Sequence, residues 1–180
     1  MRLLCPDLVL RSVFDLDLCE LLSEGIRGVL VDLDNTLIRW DRQTMDQSFR
    51  DWIQEATTLG LRVCIVSNGL HHRVKHLAEL LGVPFVSKAL KPRRKPFREA
   101  LRLVDLRPEE CVMIGDQLFT DVFGGNRAGM MTVLIDPLSD QELNSTRVVR
   151  RVERRLLRRL VRQGLLDAAS VEERRGGRGH

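Results

Sequence analysis

The sequence predicts an α/β fold, a three-layer sandwich in which a central parallel sheet of about five strands lies between two layers of helices. Short apolar runs that suit buried strands alternate along the chain with segments whose apolar residues recur every three or four positions, which is the spacing of an amphipathic helix. The connections between these segments are short. Strands and helices that alternate in this way form βαβ units, whose strands are parallel.

The predicted elements follow one another in a regular order. Strands are predicted at 29–31, 61–66, 84–86, 111–114 and 131–135. Helices are predicted before or between them at 17–24, 45–59, 74–81, 97–104 and, at least in part, 120–128. Gly60 and Gly82 follow two of these helical patterns directly and mark their ends. Residues 1–27 are therefore expected to be a lead-in, and residues 28–144 to form a single core.

The basic charge of the chain is concentrated near its C-terminal end. The net charge is +4 over 180 residues. From Arg147 onward there are eleven arginines against four acidic residues, or +7, which leaves −3 for the preceding part. Apolar residues keep helical spacing from Val148 to Leu160. This pattern predicts a basic amphipathic helix over 145–166 and a disordered tail over 167–180.

Neither secretion nor insertion into a membrane is indicated. The chain has no run of about 18 apolar residues, and the apolar run after Met1 is too short for a signal peptide. The four cysteines form no CxxC pair, which favours reduced, buried thiols. We therefore expect a cytoplasmic location, at most peripheral on the inner face of a membrane.

Polar side chains follow several predicted strands. Asp32 and Asp34 come directly after the first strand, where an unpaired carboxylate is costly to bury unless a cation or a proton is near. In open parallel sheets the ligand site lies beyond the carboxyl ends of the strands. The same edge should receive four more polar residues from other strands, namely Ser67, Asn68, Asp116 and Asp121.

Familiar nucleotide and calcium motifs do not fit this chain. It has no GxxxxGK[ST] loop, and the glycines at 124–129 have the wrong spacing for GxGxxG. A calcium loop that began at Asp32 would need glycine where Leu37 stands and glutamate where Gln43 stands.

Four motifs in order resemble those of the haloacid dehalogenase-like (HAD) superfamily: DLDNT at 32–36, SN at 67–68, KP at 91–92 and GDQLFTD at 115–121. Within that superfamily the chain is most similar to the small YqeG-type phosphatases of subfamily IIIA, which are related to phosphatidylglycerophosphate phosphatases. The narrower match rests on WD at 40–41, GVPF at 82–85 and GGNR at 124–127. The resemblance implies a Rossmann-like core, and the short gaps between the motifs leave no room for a cap domain.

The resemblance implies a magnesium-dependent phosphomonoester hydrolase that forms an aspartyl-phosphate intermediate. Asp32 is then the nucleophile, while Asp34 protonates the leaving oxygen and later takes a proton from the attacking water. A carboxylate that attacks a phosphate needs a divalent cation, because both groups are negative. By the same resemblance Mg²⁺ is held by Asp32, the backbone carbonyl of Asp34 and Asp116, with Asp121 as a direct or indirect ligand.

Phosphate binding is assigned to the other motif residues on the same basis. Ser67 and the Asn68 amide bind phosphate oxygens, and Thr36 is a further substrate-binding candidate. Lys91 balances the charge of the phosphate and the nucleophile. It is preferred to the rivals Lys88 and Lys95 because it begins the KPxxxxF pattern of the superfamily.

Without a cap domain the site is expected to be open, as in other capless members of the superfamily, and an open site admits phosphates on bulky carriers. The subfamily resemblance implies phosphatidylglycerophosphate or a similar lipid-borne substrate. Three alternatives remain for the arginine-rich helix. It packs on the core with its arginines in solvent, lies on an anionic membrane where each basic residue contributes about 1 kcal/mol, or binds nucleic acid. The alternative function is therefore an RNA- or ribosome-associated binding protein with weak or no phosphatase activity.

Overall fold

The computed structural model describes residues 2–39, 42, 44–139 and 144–167, with 144–148 as backbone only. A six-stranded, fully parallel sheet lies at its centre. Its strands are β1 (Leu8–Val9), β2 (Gly28–Val31), β3 (Arg62–Val66), β4 (Phe85–Val86), β5 (Cys111–Gly115) and β6 (Met131–Leu134). The helices are α1 (Leu18–Ser23), α2 (Gln47–Thr58), α3 (His71–Leu81), α4 (Arg94–Val104), α5 (Phe123–Ala128) and α6 (Asn144–Arg162). A π-helical turn, Leu118–Val122, precedes α5.

The predicted α/β class and parallel sheet are confirmed, but the sheet has six strands instead of about five. The additional strand is β1, in which Leu8 and Val9 pair with Val133 and Leu134 at the sheet edge. Two residues are too few to show the alternation by which a strand is recognised in a sequence. The segment 40–41 and the predicted tail from 168 onward lie outside the described residues.

The strand order creates a site at the centre of the sheet. The order is β1-β6-β5-β2-β3-β4, so the chain passes from β2 toward β4 on one side and then returns to β5 on the other. Ligand sites of open parallel sheets form where the winding reverses in this way. Val31 lies beside both Ile65 and Ile114 in register, which brings the residues that follow β2, β3 and β5 to one level.

The two faces of the sheet bury alternate strand residues. Val29 and Val31 lie in a core cluster with α2 and α3. Leu30, between them, lies in a second cluster with α4 and with the end of α5. β2 is thus covered on both sides, as expected of a central strand in a three-layer sandwich.

The cysteines are free, but only two of the four match the expectation of burial. Cys64 and Cys111 are fully buried, and burial raises the pKa of each thiol to about 12. Cys19 is exposed and Cys5 is partly exposed. None of the described helices has the length and apolar character that crossing a membrane requires.

The arginine-rich helix α6 packs against the core. Leu157 and Leu160 are buried together with Leu118 and Val122 of the π-helical turn and with Leu134 of β6. The predicted apolar stripe is only partly correct, since Val149 and Val152 are 37% and 46% exposed. Two charged residues on the buried face of α6, Arg150 and Glu153, contact the segment that follows β5.

Candidate active site

Three aspartates form a buried cluster at the carboxyl edge of the sheet. Asp32 follows β2, Asp116 follows β5, and Asp121 lies in the π-helical turn. One carboxylate oxygen from each lies within 4.8 Å of the other two. Their exposed fractions are 6%, 0% and 1%. Carboxylates buried this closely must be neutralised by cations or protons.

Lys91 supplies one of the positive charges. Its Nζ donates hydrogen bonds of 2.6 Å to Oδ1 of Asp32 and of 2.6 Å to Oδ1 of Asp121. Burial lowers the pKa of Lys91, but the carboxylates of Asp121 and Asp32 outweigh that effect and hold the pKa above its usual range. The Lys91 backbone N–H donates to Oδ1 of Asn68 at 2.8 Å, so Asn68 fixes the position of the Lys91 backbone.

Asp121 is held from several sides. Besides Lys91, the backbone N–H of Gln117 donates to its Oδ2 at 3.1 Å. A Cβ on Gly115 would lie 2.3 Å from the same Oδ2, so only glycine permits this approach of the carboxylate to β5. Both carboxylate oxygens of Asp121 therefore receive protein donors.

The cluster has the properties of a cation site. Burial raises the pKa of Asp32 well above its usual range, although Lys91 opposes the effect. Burial likewise raises the pKa of Asp116 to about 6, opposed by Arg150. Oδ1 of Asp116 is buried and has no hydrogen-bond partner among the described residues. A hard carboxylate oxygen that lacks a donor fits Mg²⁺, which prefers oxygen ligands.

A cavity of about 250 Å³ opens beside Asp32 of this cluster. It is lined by Asp32, Asp34, Ser67, Asn68, Gly69, Lys91, Gln117 and Thr120. The Ser67 hydroxyl accepts a 2.9 Å hydrogen bond from the Gly69 N–H and lies 3.5 Å from Oδ2 of Asp34. Thr36, in contrast, does not line the cavity, and its hydroxyl is buried without a partner among the described residues.

A larger cavity of about 410 Å³ lies between the N-terminal segment and α2. Its lining includes Asp17, Asp51 and Glu55 and, within the described part of the chain, neither lysine nor arginine. Carboxylates repel a phosphate ester. The smaller cavity, with Lys91 in its wall, is therefore the better candidate.

Arg73 is a site residue that the sequence patterns did not indicate. Its Nη1 donates to Oδ1 of Asp34, and its Nη2 donates to the carbonyls of Arg39 at 3.3 Å and Arg42 at 3.1 Å. Arg73 thus ties the segment that follows Asp34 to α3. In the sequence it is one basic residue of an amphipathic helix, and such residues usually face solvent.

Arg150 and Glu153 of α6 are two further residues that were missed. Arg150 donates from Nη2 to Oδ2 of Asp116 and from Nη1 to the Asp116 carbonyl. The Glu153 carboxylate accepts from the N–H groups of Leu118 at 2.7 Å and Phe119 at 3.3 Å. The sequence held one sign that Glu153 has a particular role, because it is the sole acidic residue of the predicted helix 145–166.

Comparison with known proteins identifies the family. The sequence model described as haloacid dehalogenase-like hydrolase matches residues 14–129. Over 161 residues the chain is 42% identical to "Probable phosphatase YqeG" of Bacillus subtilis (strain 168), covering 89% of this chain and 94% of that protein. Over 170 residues it is 30% identical to "Phosphatidylglycerophosphate phosphatase 1, chloroplastic/mitochondrial" of Arabidopsis thaliana, covering 89% of this chain and 49% of the relative. The chain thus spans about half the length of this second protein.

A solved structure agrees with the fold. The cobalt-bound deoxy-D-mannose-octulosonate 8-phosphate phosphatase (YrbI) of Haemophilus influenzae superposes with a TM-score of 0.51 at 15% identity, covering 82% of this chain and 96% of that chain. The family model covers more than half of this sequence, and each of the four motifs at 32–36, 67–68, 91–92 and 115–121 contributes residues to the lining of one cavity. The predicted family is confirmed, and the chain belongs to the haloacid dehalogenase-like hydrolases.

Proposed function

We propose that this protein is a magnesium-dependent phosphomonoester hydrolase that acts through an aspartyl-phosphate intermediate. The observation that carries the proposal is the position of Asp32. Its carboxylate lines an open cavity, is bound by Lys91, and belongs to a cluster of three buried aspartates. A nucleophile, a fixed positive charge and a set of oxygen ligands are the parts that phosphoryl transfer to a carboxylate requires.

Each residue around the cavity is assigned a different role in the reaction. Asp32 attacks phosphorus, and the leaving oxygen takes a proton from Asp34, which lines the same cavity. Water then hydrolyses the acyl phosphate, and Asp34 takes up the proton of that water. Ser67 and Lys91 bind the phosphate oxygens. Arg73 orients Asp34 through its hydrogen bond to Oδ1, which leaves Oδ2 on the side of Ser67.

Asp32, Asp116 and the backbone carbonyl of Asp34 are proposed to hold Mg²⁺. When bound, the ion neutralises the charge that develops on the phosphoryl group and its nucleophile. Both oxygens of Asp121 already receive donors, from Lys91 and Gln117. Asp121 is therefore assigned an indirect role, in which it holds Lys91 beside the nucleophile.

Metal selectivity tests this assignment. Protein stripped with EDTA is expected to lose hydrolysis of p-nitrophenyl phosphate and to regain it on addition of Mg²⁺. Ca²⁺ should support less than about one tenth of the Mg²⁺ rate, because it is larger and prefers six to eight ligands. Initial rates at matched free-metal concentrations measure the difference. Full activity in excess EDTA would contradict the proposal.

We further propose that the substrate phosphate is borne by a lipid such as phosphatidylglycerophosphate and that the protein works at an anionic membrane surface. The relative from Arabidopsis thaliana is named for that lipid. Exposed arginines cover the outer face of α6, namely Arg151, Arg155, Arg158, Arg159 and Arg162. Because Leu157 and Leu160 are buried in the core, such contact is electrostatic and does not require insertion of apolar side chains.

A panel of phosphate esters in mixed micelles tests the lipid proposal. Phosphatidylglycerophosphate in anionic micelles is expected to be hydrolysed faster than water-soluble esters. The triple variant Arg155→Gln, Arg158→Gln and Arg159→Gln should lose at least about tenfold on the lipid, since each basic residue contributes about 1 kcal/mol near such a surface. The p-nitrophenyl phosphate rate of the same variant is the control and should not change.

Two outcomes would overturn the lipid proposal. The first is an absence of preference for the lipid over soluble esters. The second is salt-sensitive capture of RNA on filters by the wild type but not by the triple variant, which would favour the alternative of an RNA-associated protein.

A further inference from the structure

We infer that α6 is part of the catalytic centre, with Arg150 and Glu153 as positioning residues that set the segment from Asp116 to Asp121 for cation binding. The inference rests on the proposed function, because it concerns the same metal site. It differs from all three alternatives for the arginine-rich helix, which placed every arginine in solvent or on a polyanion.

Arg150 fixes the orientation of Asp116. Its two terminal nitrogens donate to the carboxylate and to the backbone carbonyl of the same residue, so the guanidinium holds both ends of that aspartate. Its side chain is 13% exposed, against 0% for the Asp116 side chain. Oδ2 is engaged by Arg150, and Oδ1 is the oxygen left without a partner among the described residues. The carboxylate thus presents one defined oxygen to a cation.

Glu153 fixes the start of the π-helical turn within this segment. The N–H groups of Leu118 and Phe119 begin the π-helical turn, and N–H groups at the start of a helical turn lack partners within it. The Glu153 carboxylate accepts from both, and it is 4% exposed. That turn carries Asp121, which in turn binds Lys91.

The two residues act from one rigid element. Arg150 and Glu153 lie one turn apart on α6, with Nη1 of the arginine 3.4 Å from Oε2 of the glutamate. Leu157 and Leu160 continue the same face of the helix and are buried against the π-helical turn. Apolar packing therefore holds the helix in place. Arg150 and Glu153 then position Asp116 and the π-helical turn through their hydrogen bonds.

Mg²⁺ affinity distinguishes positioning from simple charge balance. Loss of a positive charge beside the cluster would by itself strengthen cation binding. Loss of an outer partner of a metal ligand typically weakens metal binding or activity by about 10- to 100-fold. A weaker affinity in Arg150→Ala therefore reports positioning.

The experiment measures Mg²⁺ binding to the full chain by isothermal titration calorimetry, together with kcat on p-nitrophenyl phosphate. Arg150→Ala is expected to weaken Mg²⁺ binding by about tenfold or more. Arg150→Lys should recover part of the affinity, because lysine restores the charge without the two-pronged geometry. Arg154→Ala removes an exposed arginine one turn along α6, at a position outside the proposed membrane face, and should bind Mg²⁺ like the wild type.

A second variant keeps the inference testable if Arg150→Ala does not fold. Glu153→Gln preserves the shape of the side chain and should weaken Mg²⁺ binding by several-fold. Unchanged or tighter binding in folded Arg150→Ala or Glu153→Gln would overturn the inference. A wild type that binds Mg²⁺ but hydrolyses no phosphate ester would contradict the proposed function alone, since the affinities of the variants remain measurable.

Discussion

Replacement of Asp32 by asparagine is expected to lower the rate of hydrolysis of every phosphate ester that the wild type accepts by at least about 10⁴-fold. An amide has neither the charge nor the basicity to attack phosphorus, so no aspartyl phosphate can form. Asparagine has almost the same shape as aspartate, and Lys91 retains its 2.6 Å bond to Asp121. The fold should therefore survive the substitution.

Trapping of the intermediate separates the roles of the two motif aspartates. Acid-quenched reactions with labelled phosphate ester should show no labelled protein for Asp32→Asn. Asp34→Asn is the matched control, because it keeps the nucleophile and loses both the acid and the base. With labelled p-nitrophenyl phosphate, whose leaving group needs no proton, only hydrolysis of the intermediate should slow, so this variant should accumulate labelled protein while its steady-state rate falls. Turnover at the wild-type rate by Asp32→Asn, or labelling of that variant, would exclude Asp32 as the nucleophile.

Residues at strand ends were predictable from the sequence because topology alone brings them together. Asp32, Ser67 and Asp116 each follow a parallel strand directly, and the carboxyl ends of neighbouring parallel strands meet at one edge. The register confirms the common level, since Val31 lies beside Ile65 and Ile114. The place of these residues does not depend on how any helix packs.

Residues on helices were not predictable in the same way. The reach of Arg73 and Arg150 into the site depends on how α3 and α6 are rotated and seated, and helical periodicity describes only which residues share a face. For α6 the valines at 149 and 152 suggested one buried face, whereas among the side chains described from 149 onward the buried positions are Glu153, Leu157 and Leu160. A lone acid among arginines was the stronger signal, because a buried carboxylate must have donors.

Lys91→Met is expected to remove activity and to destabilise the metal-free protein by about 3–5 kcal/mol, the usual result of deleting one partner of a buried ion pair. Methionine fills a similar volume but leaves Asp32 and Asp121 without their shared donor. The Lys91 side chain is 2% exposed, so the two carboxylates that remain are poorly solvated by bulk water. Urea unfolding in EDTA measures the change in the free energy of unfolding.

The same variant separates the structural task of Lys91 from its catalytic one. Mg²⁺ binds the folded state, so it should restore part of the lost stability, by an amount that grows with the logarithm of the ratio of the Mg²⁺ concentration to its dissociation constant. Activity should stay low, because a cation held by the aspartates cannot replace an ammonium at the phosphate. Lys88→Met, at an exposed lysine three residues earlier, is the control and should keep both stability and activity. Loss of activity in Lys88→Met with full activity in Lys91→Met would transfer the phosphate-binding role to Lys88. The opposite result would show that one buried lysine both neutralises the nucleophile in the resting protein and meets the phosphate during the reaction.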